Sequence, residues 1–415
     1  MRSMSLEQAR ALPLWRRPTA LLIVMAAAMP LAFSTWSALL NNFVIEAAQF
    51  DGSDIGWLQS VREIPGFLAV GVIAIIIFVR EQVLGLVSLM MLGVAVAVTA
   101  YFPTFEGLLA TTLISSMGFH YFETVNQSLQ LQWIDKKRAP QMLGWIVAVG
   151  SGASLLAYGL LVLGWKNFGW TYEAVYLAGG GATVLLAVLC FVLYPQFDSP
   201  NPQTKRMVLR RRYWLYYALQ FMAGARRQIF VVFAAFMMVE RFGFEVHQVT
   251  GLFLANYLAN MVFAPMMGGF VQRYGERRAL TFEYIGLIGI FLAYGALYFA
   301  NWGDLAWGVT IAAGLYILDH LFFALAFALK TYFQKIADPQ DIAPTAAVAF
   351  TINHIAAVGL PAALGYLWLT SPAGVFVLAA GFACVSLVLA LLIPRHPAKG
   401  HETIFAPRLA VAPAE

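Results

Sequence analysis

Charge is scarce in this chain. Only 11% of its 415 residues are Asp, Glu, Lys or Arg, less than half of the roughly 25% typical of soluble domains, and that shortage excludes a large water-exposed domain. Cysteine is nearly missing: Cys190 and Cys384 each sit inside an apolar segment, which excludes a disulfide framework and a cysteine metal site. There is no glycine-rich phosphate loop, no HxxxH or CxxC spacing and no nucleophile elbow. ATP binding, a cofactor and enzymatic turnover are therefore not expected. The first apolar segment, about 25 residues from Ala20, has no small-residue cleavage site after it, so it reads as a retained helix and not a signal peptide.

What the chain has in abundance is apolar sequence, 61% of all residues. An apolar helix of about 20 residues crosses a bilayer. Apolar windows between charge and turn clusters predict twelve such helices, at roughly 18–44, 55–79, 83–101, 105–133, 140–164, 171–194, 213–240, 246–271, 278–300, 304–334, 343–369 and 373–394. The longest polar link, QFDSPNPQTKRMVLRRR, follows the sixth helix. Four parts are expected: a six-helix half over 1–194, a basic linker over 195–212, a second six-helix half over 213–394, and a flexible tail over 395–415. Alternate links collect Arg80, then Lys136, Lys137 and Arg138, then Lys205, Arg206, Arg210, Arg211 and Arg212, then Arg273, Arg277 and Arg278, whereas the intervening links hold Lys166 and Arg241. By the excess of Lys and Arg in cytoplasmic loops, both termini are expected in the cytoplasm. The net charge of +5 is scattered over these links, so no nucleic-acid partner is expected. The expected partners are the bilayer, a small solute and protons, for a monomer in the plasma membrane, a bacterial inner membrane.

Ionisable residues inside such helices cost about 2.5–3.5 kcal/mol each on insertion scales, so they face a protein interior, a cavity or a partner. Ser116, His120, Glu123, Gln127 and Gln130 recur at the period of one helical face. Asp319 beside His320 reads as a proton-accepting pair, with Tyr316 one turn away. The run FMAGARRQIFVVFA sets Arg226 and Arg227 together in the seventh helix. Neighbours on a helix lie about 100° apart, so one arginine is expected to face a solute and the other to pair with an acid such as Asp319. Ser37 and Asn41, and Asn256 with Asn260, offer uncharged hydrogen-bonding pairs that serve equally well in helix packing. Arg62 and Glu63 read as a mutual pair, His354 as a packing donor, and Glu283 as a structural acid gripping the basic loop that precedes it.

The segment GGFVQRYGERR, Gly268 to Arg278, resembles the loop signature of the major facilitator superfamily: Gly268, an acid position occupied by Gln272, then Arg273, Gly275, Arg277 and Arg278. The six-plus-six layout and central basic link extend the resemblance over nearly the whole chain. It implies an all-α membrane fold of two pseudo-symmetric six-helix halves and a secondary transporter working by alternating access. On that basis Arg226, Arg227, Gln127, Ser37, Asn41, Asn256 and Tyr316 are candidate solute-binding residues. Glu123, Asp319, His120 and His320 are candidate proton carriers, and the Gly268–Arg278 residues a gate motif. An anionic or zwitterionic solute suits the arginines; export of a hydrophobic or cationic compound, or a sensor or enzyme on the same fold, are the alternatives.

Overall fold

The computed structural model describes residues 4–68, 72–76, 78–134, 139–198, 209–323, 325, 327–338 and 341–406. Lys136, Lys137, Arg138, Lys205 and Arg206, expected to orient the chain, lie outside them. The described residues are helical with short links. The main helices are α1 (Pro18–Glu46), α2 (Gly52–Phe67), α3 (Glu81–Val98), α4 (Phe105–Trp133), α5 (Ala139–Phe168) and α6 (Tyr172–Leu193). They continue as α7 (Arg211–Glu240), α8 (Val246–Tyr274), α9 (Glu276–Phe299), α10 (Gly308–Phe323), α11 (Ile342–Thr370) and α12 (Pro372–Leu391). Eight described stretches are long and apolar enough to cross a membrane: α1, α3, α6, α7, α9 and α12, and the apolar parts of α5 and α11. α4 is not among these eight, because His120, Glu123, Gln127 and Gln130 dilute its apolar content.

Local chemistry sets several helix starts. Thr104, Thr171 and Ser371 cap α4, α6 and α12 by accepting the backbone N–H three residues on, which satisfies one of the donors that a helix start leaves unpaired. Pro30 sits inside α1. There the Thr183 hydroxyl of α6 donates to the Ala28 carbonyl at 2.7 Å and accepts from the Ala32 N–H at 3.1 Å. A neighbouring hydroxyl thus serves backbone groups on both sides of an intramembrane proline.

Three stretches depart from the expected helices. The second expected helix comprises α2 and a short helix, Val72–Ile75, and the tenth comprises α10 and a short helix, Phe327–Ile336. α7 is one run of helix, but Ile229–Ala234 adopts the wider π form directly after Gln228. The link holding the signature is reduced to Gly275, whose φ of 81° is strained for any side chain. Most of Gly268–Arg278 is therefore helix rather than loop.

Contacts divide the chain into two units with interleaved boundaries. The first contains residues 1–50, 61–204 and 243–254, and the second 51–60, 205–242 and 255–415. These units differ from the expected split into 1–194 and 213–394 at the start of α8, which falls in the first unit, and at the start of α2, which falls in the second. There the Ala362 N–H of α11 donates to the Ser60 hydroxyl at 3.0 Å. In the first unit, α1 packs on α5 and α6, and α3 on α4 and α6. In the second, α9 packs on α12, and α7 on α11 and α12. A side chain at Gly224 of α7 would collide with the Asn353 backbone of α11, so glycine there sets how closely the two helices cross.

The expected flexible tail is packed through Ala406. The Tyr332 hydroxyl donates to the Glu402 carbonyl at 2.6 Å, Lys399 pairs with Asp338 at 2.6 Å, and the Ile404 N–H donates to the Leu392 carbonyl at 2.9 Å. Glu402 and Thr403 are buried. Residues 195–198, expected as linker, are likewise pinned: Gln82 donates to the Pro195 carbonyl and accepts from the Phe197 N–H.

Candidate functional site

In the second unit, three ionisable side chains are enclosed, two of them paired. Arg226 of α7 is 3% exposed, Glu283 of α9 is 0%, and Asp319 of α10 is 2%. The Arg226 Nη1 atom lies 3.6 Å from Glu283 Oε1, an ion pair longer than a hydrogen bond. Its guanidinium sits 4.3 Å from the centre of the Tyr284 ring, a cation–π contact that substitutes for part of the lost hydration. Arg226 Nε donates to the Met222 carbonyl one turn back at 3.3 Å. Asp319 lies within electrostatic range of the same guanidinium, and Tyr294 within range of Asp319 and Tyr316.

Charge and hydrogen-bond inventories of this cluster are both incomplete. Two carboxyl groups face one buried guanidinium, so the three groups balance only when one carboxyl carries a proton. Arg226 Nη1, both Glu283 oxygens, Asp319 Oδ2 and the Tyr294 hydroxyl find no hydrogen-bond partner among the described residues. At about 1–3 kcal/mol per buried unsatisfied group, the four groups that carry these atoms would cost on the order of 4–12 kcal/mol if nothing bonded to them, comparable with a whole domain's stability. Gln228, two residues beyond Arg226 and fully buried, has neither amide atom bonded within the same set.

A π turn follows the arginines. A π turn accommodates an extra residue without breaking a helix, so side chains beyond Ala234 are rotated relative to a regular continuation from Arg226. Within the turn, Phe230 packs 4.9 Å from Tyr316 and 5.8 Å from His320, ring centre to ring centre. Arg226 is the enclosed arginine and Arg227 is half-buried. The acid paired with Arg226 is Glu283, and Asp319 lies within electrostatic range of the same guanidinium. Glu283 was expected to grip loop arginines; it faces Arg226 because both project into the interior of the unit. At the start of α9 it is instead Glu276 that makes an ion pair, with Lys335 at 2.7 Å.

Asp319 and His320 do not form the expected pair. Asp319 turns into the arginine cluster, whereas the His320 Nε2 atom meets the Asn260 amide of α8 at 2.7 Å. Adjacent residues on a helix point about 100° apart, and the two find different surroundings. Asn256 and Tyr316 are buried in this unit. Of the signature residues, Gln272, Arg273 and Arg278 are exposed and Arg277 is half-buried.

The first unit holds a second polar group. Arg62 pairs with Glu63 at 2.5 Å and lies 5.9 Å from the centre of the Trp36 ring. The Ser116 hydroxyl bonds to the Arg62 carbonyl and lies 3.0 Å from His120 Nδ1. A Glu63 carboxylate oxygen and a His120 ring nitrogen lie within 4.8 Å of each other. Phe33 stacks on Phe119 at 4.6 Å. Asn41 is buried, Ser37 and Glu123 are half-buried, and Gln127 is exposed.

Sequence reasoning missed Glu283, Tyr294 and Gln228 as members of the site. Glu283 carried a signal, an acid inside an apolar helix, but its partner depends on the rotation of α9. Tyr294 carried none.

Near the start of α7, Arg210 and Tyr213 converge on Asp341, and Arg212 and Lys399 on Asp338. Hydrogen bonds from Arg210 to Asp341, and from Lys399 and Arg212 to Asp338, hold both carboxyls below the usual carboxylate range.

The sequence profile described as Major Facilitator Superfamily matches residues 19–359. No curated protein matches the chain significantly. Among solved structures, a mutant form of the nucleoside transporter NupG is similar at 16% identity with a TM-score of 0.72, covering 90% of this chain and 99% of that one. A bacterial homologue of the human lysosomal transporter Spinster, inward-facing and occupied, is 13% identical with a TM-score of 0.69, covering 90% and 95%. An auto-inhibited peptide transporter of the POT family is 12% identical with a TM-score of 0.71, covering 90% and 96%. At these identities the likeness is one of fold.

Proposed function

We propose that this chain, which belongs to the major facilitator superfamily, is a proton-coupled secondary transporter of a small anionic or zwitterionic solute. It works by alternating access, as a monomer in a bacterial inner membrane. Its structural neighbours include a nucleoside transporter and a peptide transporter, so they support a transporter and leave the solute class to this chain's own residues.

The observation that carries the reading is the count of charges around Arg226: two buried carboxyls against one guanidinium. Such a group stays balanced with one proton, and an event that pulls the arginine away changes how many protons the acids hold. A solute carboxylate or phosphate that attracts a guanidinium is such an event, which links solute binding to proton movement. Arg226 is the internal counter-ion in this scheme. Arg227, more exposed and on another face, presents the planar donors that suit an anionic solute. Glu123 and His120 act as proton carriers of the first unit.

A thermal-shift screen of the purified protein against organic acids, phosphates, amino acids and organic cations identifies the solute class. Uptake into proteoliposomes under an inside-alkaline gradient then tests coupling. Asp319→Asn and Glu283→Gln are each expected to lose stimulation by the gradient while retaining solute exchange at equal pH. Full gradient stimulation in both variants overturns the coupling.

The stacked Phe33 and Phe119 beside Glu63 and His120 favour a second reading, proton-driven efflux of a hydrophobic cation. Cation export that survives Arg226→Gln and fails with Glu123→Gln selects it over the first.

A further inference from the structure

The His320 Nε2 atom lies 2.7 Å from the Nδ2 atom of Asn260 on α8, and the Phe230 ring of α7 packs 5.8 Å from the imidazole, centre to centre. An amide nitrogen can only donate a hydrogen bond. Nε2 is therefore the acceptor in this arrangement, which puts the proton of the neutral ring on Nδ1. The Asn260 carbonyl oxygen is buried and bonds to nothing among the described residues, so half of the amide is unused. Turning the amide over exchanges its two ends: the oxygen then accepts from a protonated Nε2, and the number of hydrogen bonds is unchanged. A carboxylate here would only accept and an ammonium would only donate; an amide serves either form of the ring.

The charged groups on the helices around His320 meet other partners. Arg226 of α7 pairs with Glu283 of α9, Glu240 accepts from the Trp368 indole at 2.9 Å, and Asp319 lies within electrostatic range of Arg226. Arg227, three residues before Phe230, is the further charge on that stretch of α7. Tyr316, one turn before His320, packs on the same Phe230 ring, and Tyr257 of α8 is exposed. His320 is half-buried, whereas Asp319 is enclosed, so the imidazole keeps accessible surface that its neighbour lacks.

We propose that Asn260 is the positioning residue of His320: its amide orients the ring and bonds Nε2 in both protonation states, so that His320 takes up and releases a proton without Asp319. On uptake the Nε2 lone pair binds a proton delivered by a hydronium ion, which leaves as water. The hydrogen bond from the amide N–H to Nε2 breaks, the amide rotates, and a bond from Nε2–H to the amide oxygen forms. The ring gains one positive charge, and release reverses each step. The use of this proton in transport rests on the proton-coupled reading; the pairing itself is testable without it.

Nitrogen-15 NMR of the histidine-labelled, full-length protein in lipid bilayers reads which ring nitrogen carries a proton. His320→Gln assigns the His320 signals among the six histidines. At pH 9, well above the ordinary imidazole range, the wild-type ring is expected to be protonated at Nδ1 and bare at Nε2, and Asn260→Leu to lose that preference. Asn260→Asp, whose carboxylate only accepts, is expected to keep both ring nitrogens protonated at pH 8, where the wild type has lost one proton. A wild-type ring protonated at Nε2 at pH 9, or ring signals unchanged in both Asn260 variants, overturns the assignment. Unshifted signals from the remaining histidines confirm that each variant is folded. If the ring responds as expected while the pH profile of uptake into proteoliposomes is the same in Asn260→Asp and wild type, the pairing stands and a transport role for this proton is refuted.

Discussion

Removing the positive charge at Arg226 isolates the energetics of the cluster. At 3.6 Å and an effective dielectric of about 20, the attraction between Arg226 and Glu283 is about 5 kcal/mol. Burying both ions costs several kcal/mol each, so the pair adds little net stability while intact. Breaking it is different. Arg226→Met leaves two carboxyls enclosed without a cation, and loss of one partner from a buried pair costs about 3–5 kcal/mol. Glu283→Gln costs less, because Asp319 remains to balance the arginine and the cluster no longer needs its extra proton. The double variant, Arg226→Met with Glu283→Gln, is expected to recover part of the single losses, with a coupling of about 0.5–3 kcal/mol as for contacting residues. The assay is thermal denaturation of purified protein in detergent, followed by near-ultraviolet circular dichroism at one fixed pH. Strict additivity of the two substitutions refutes the reasoning, because it means the two side chains do not act on each other. A second check runs through pH: Arg226→Met needs a second proton for neutrality, so its melting temperature is expected to rise on acidification relative to the wild type.

The π turn predicts that deleting Val231 returns α7 to a regular register, rotates the residues beyond it by about 100°, and abolishes uptake while monodisperse protein is retained; wild-type uptake contradicts this. Gly224→Leu is expected to destabilise by at least about 1–3 kcal/mol through overpacking against Asn353, read as a lower melting temperature. The depressed carboxyls of Asp338 and Asp341 contribute stability that is present above the unfolded carboxylate pKa of about 3.9 and is lost as pH falls through their lower folded values. Trypsin cleavage after Lys399 is therefore expected to be unchanged between pH 7 and 8, and to increase at both in Asp338→Asn; equal cleavage in variant and wild type refutes the docking of this segment.

Several features were legible because they depend on additive, local quantities. A helix across a bilayer requires only that enough successive residues be apolar, so most of the expected segments overlap helices among the described residues, while the second and tenth are each broken in two. Polar residues in those segments were visible as anomalies for the same reason. Partnership was less legible. Asp319 and His320 are neighbours in sequence and part company in space, whereas Glu283, read as a loop-gripping acid, faces Arg226. The tail through Ala406 looked free because its anchors, Tyr332, Asp338 and Leu392, are residues with no local signal toward it.

The sequence by itself determined that this is an all-α, multi-pass membrane protein, because the hydrophobic effect sums residue by residue and a bilayer sets the length over which it must sum. Only the tertiary structure decided which arginine is enclosed, which acid meets it and how many polar atoms it leaves unpaired. Those outcomes depend on the rotation of each helix about its axis, fixed by packing at places such as Gly224 and shifted by the π turn at Ile229–Ala234. Composition leaves that rotation unspecified, since every residue of a helix is available to some face until its neighbours are in place.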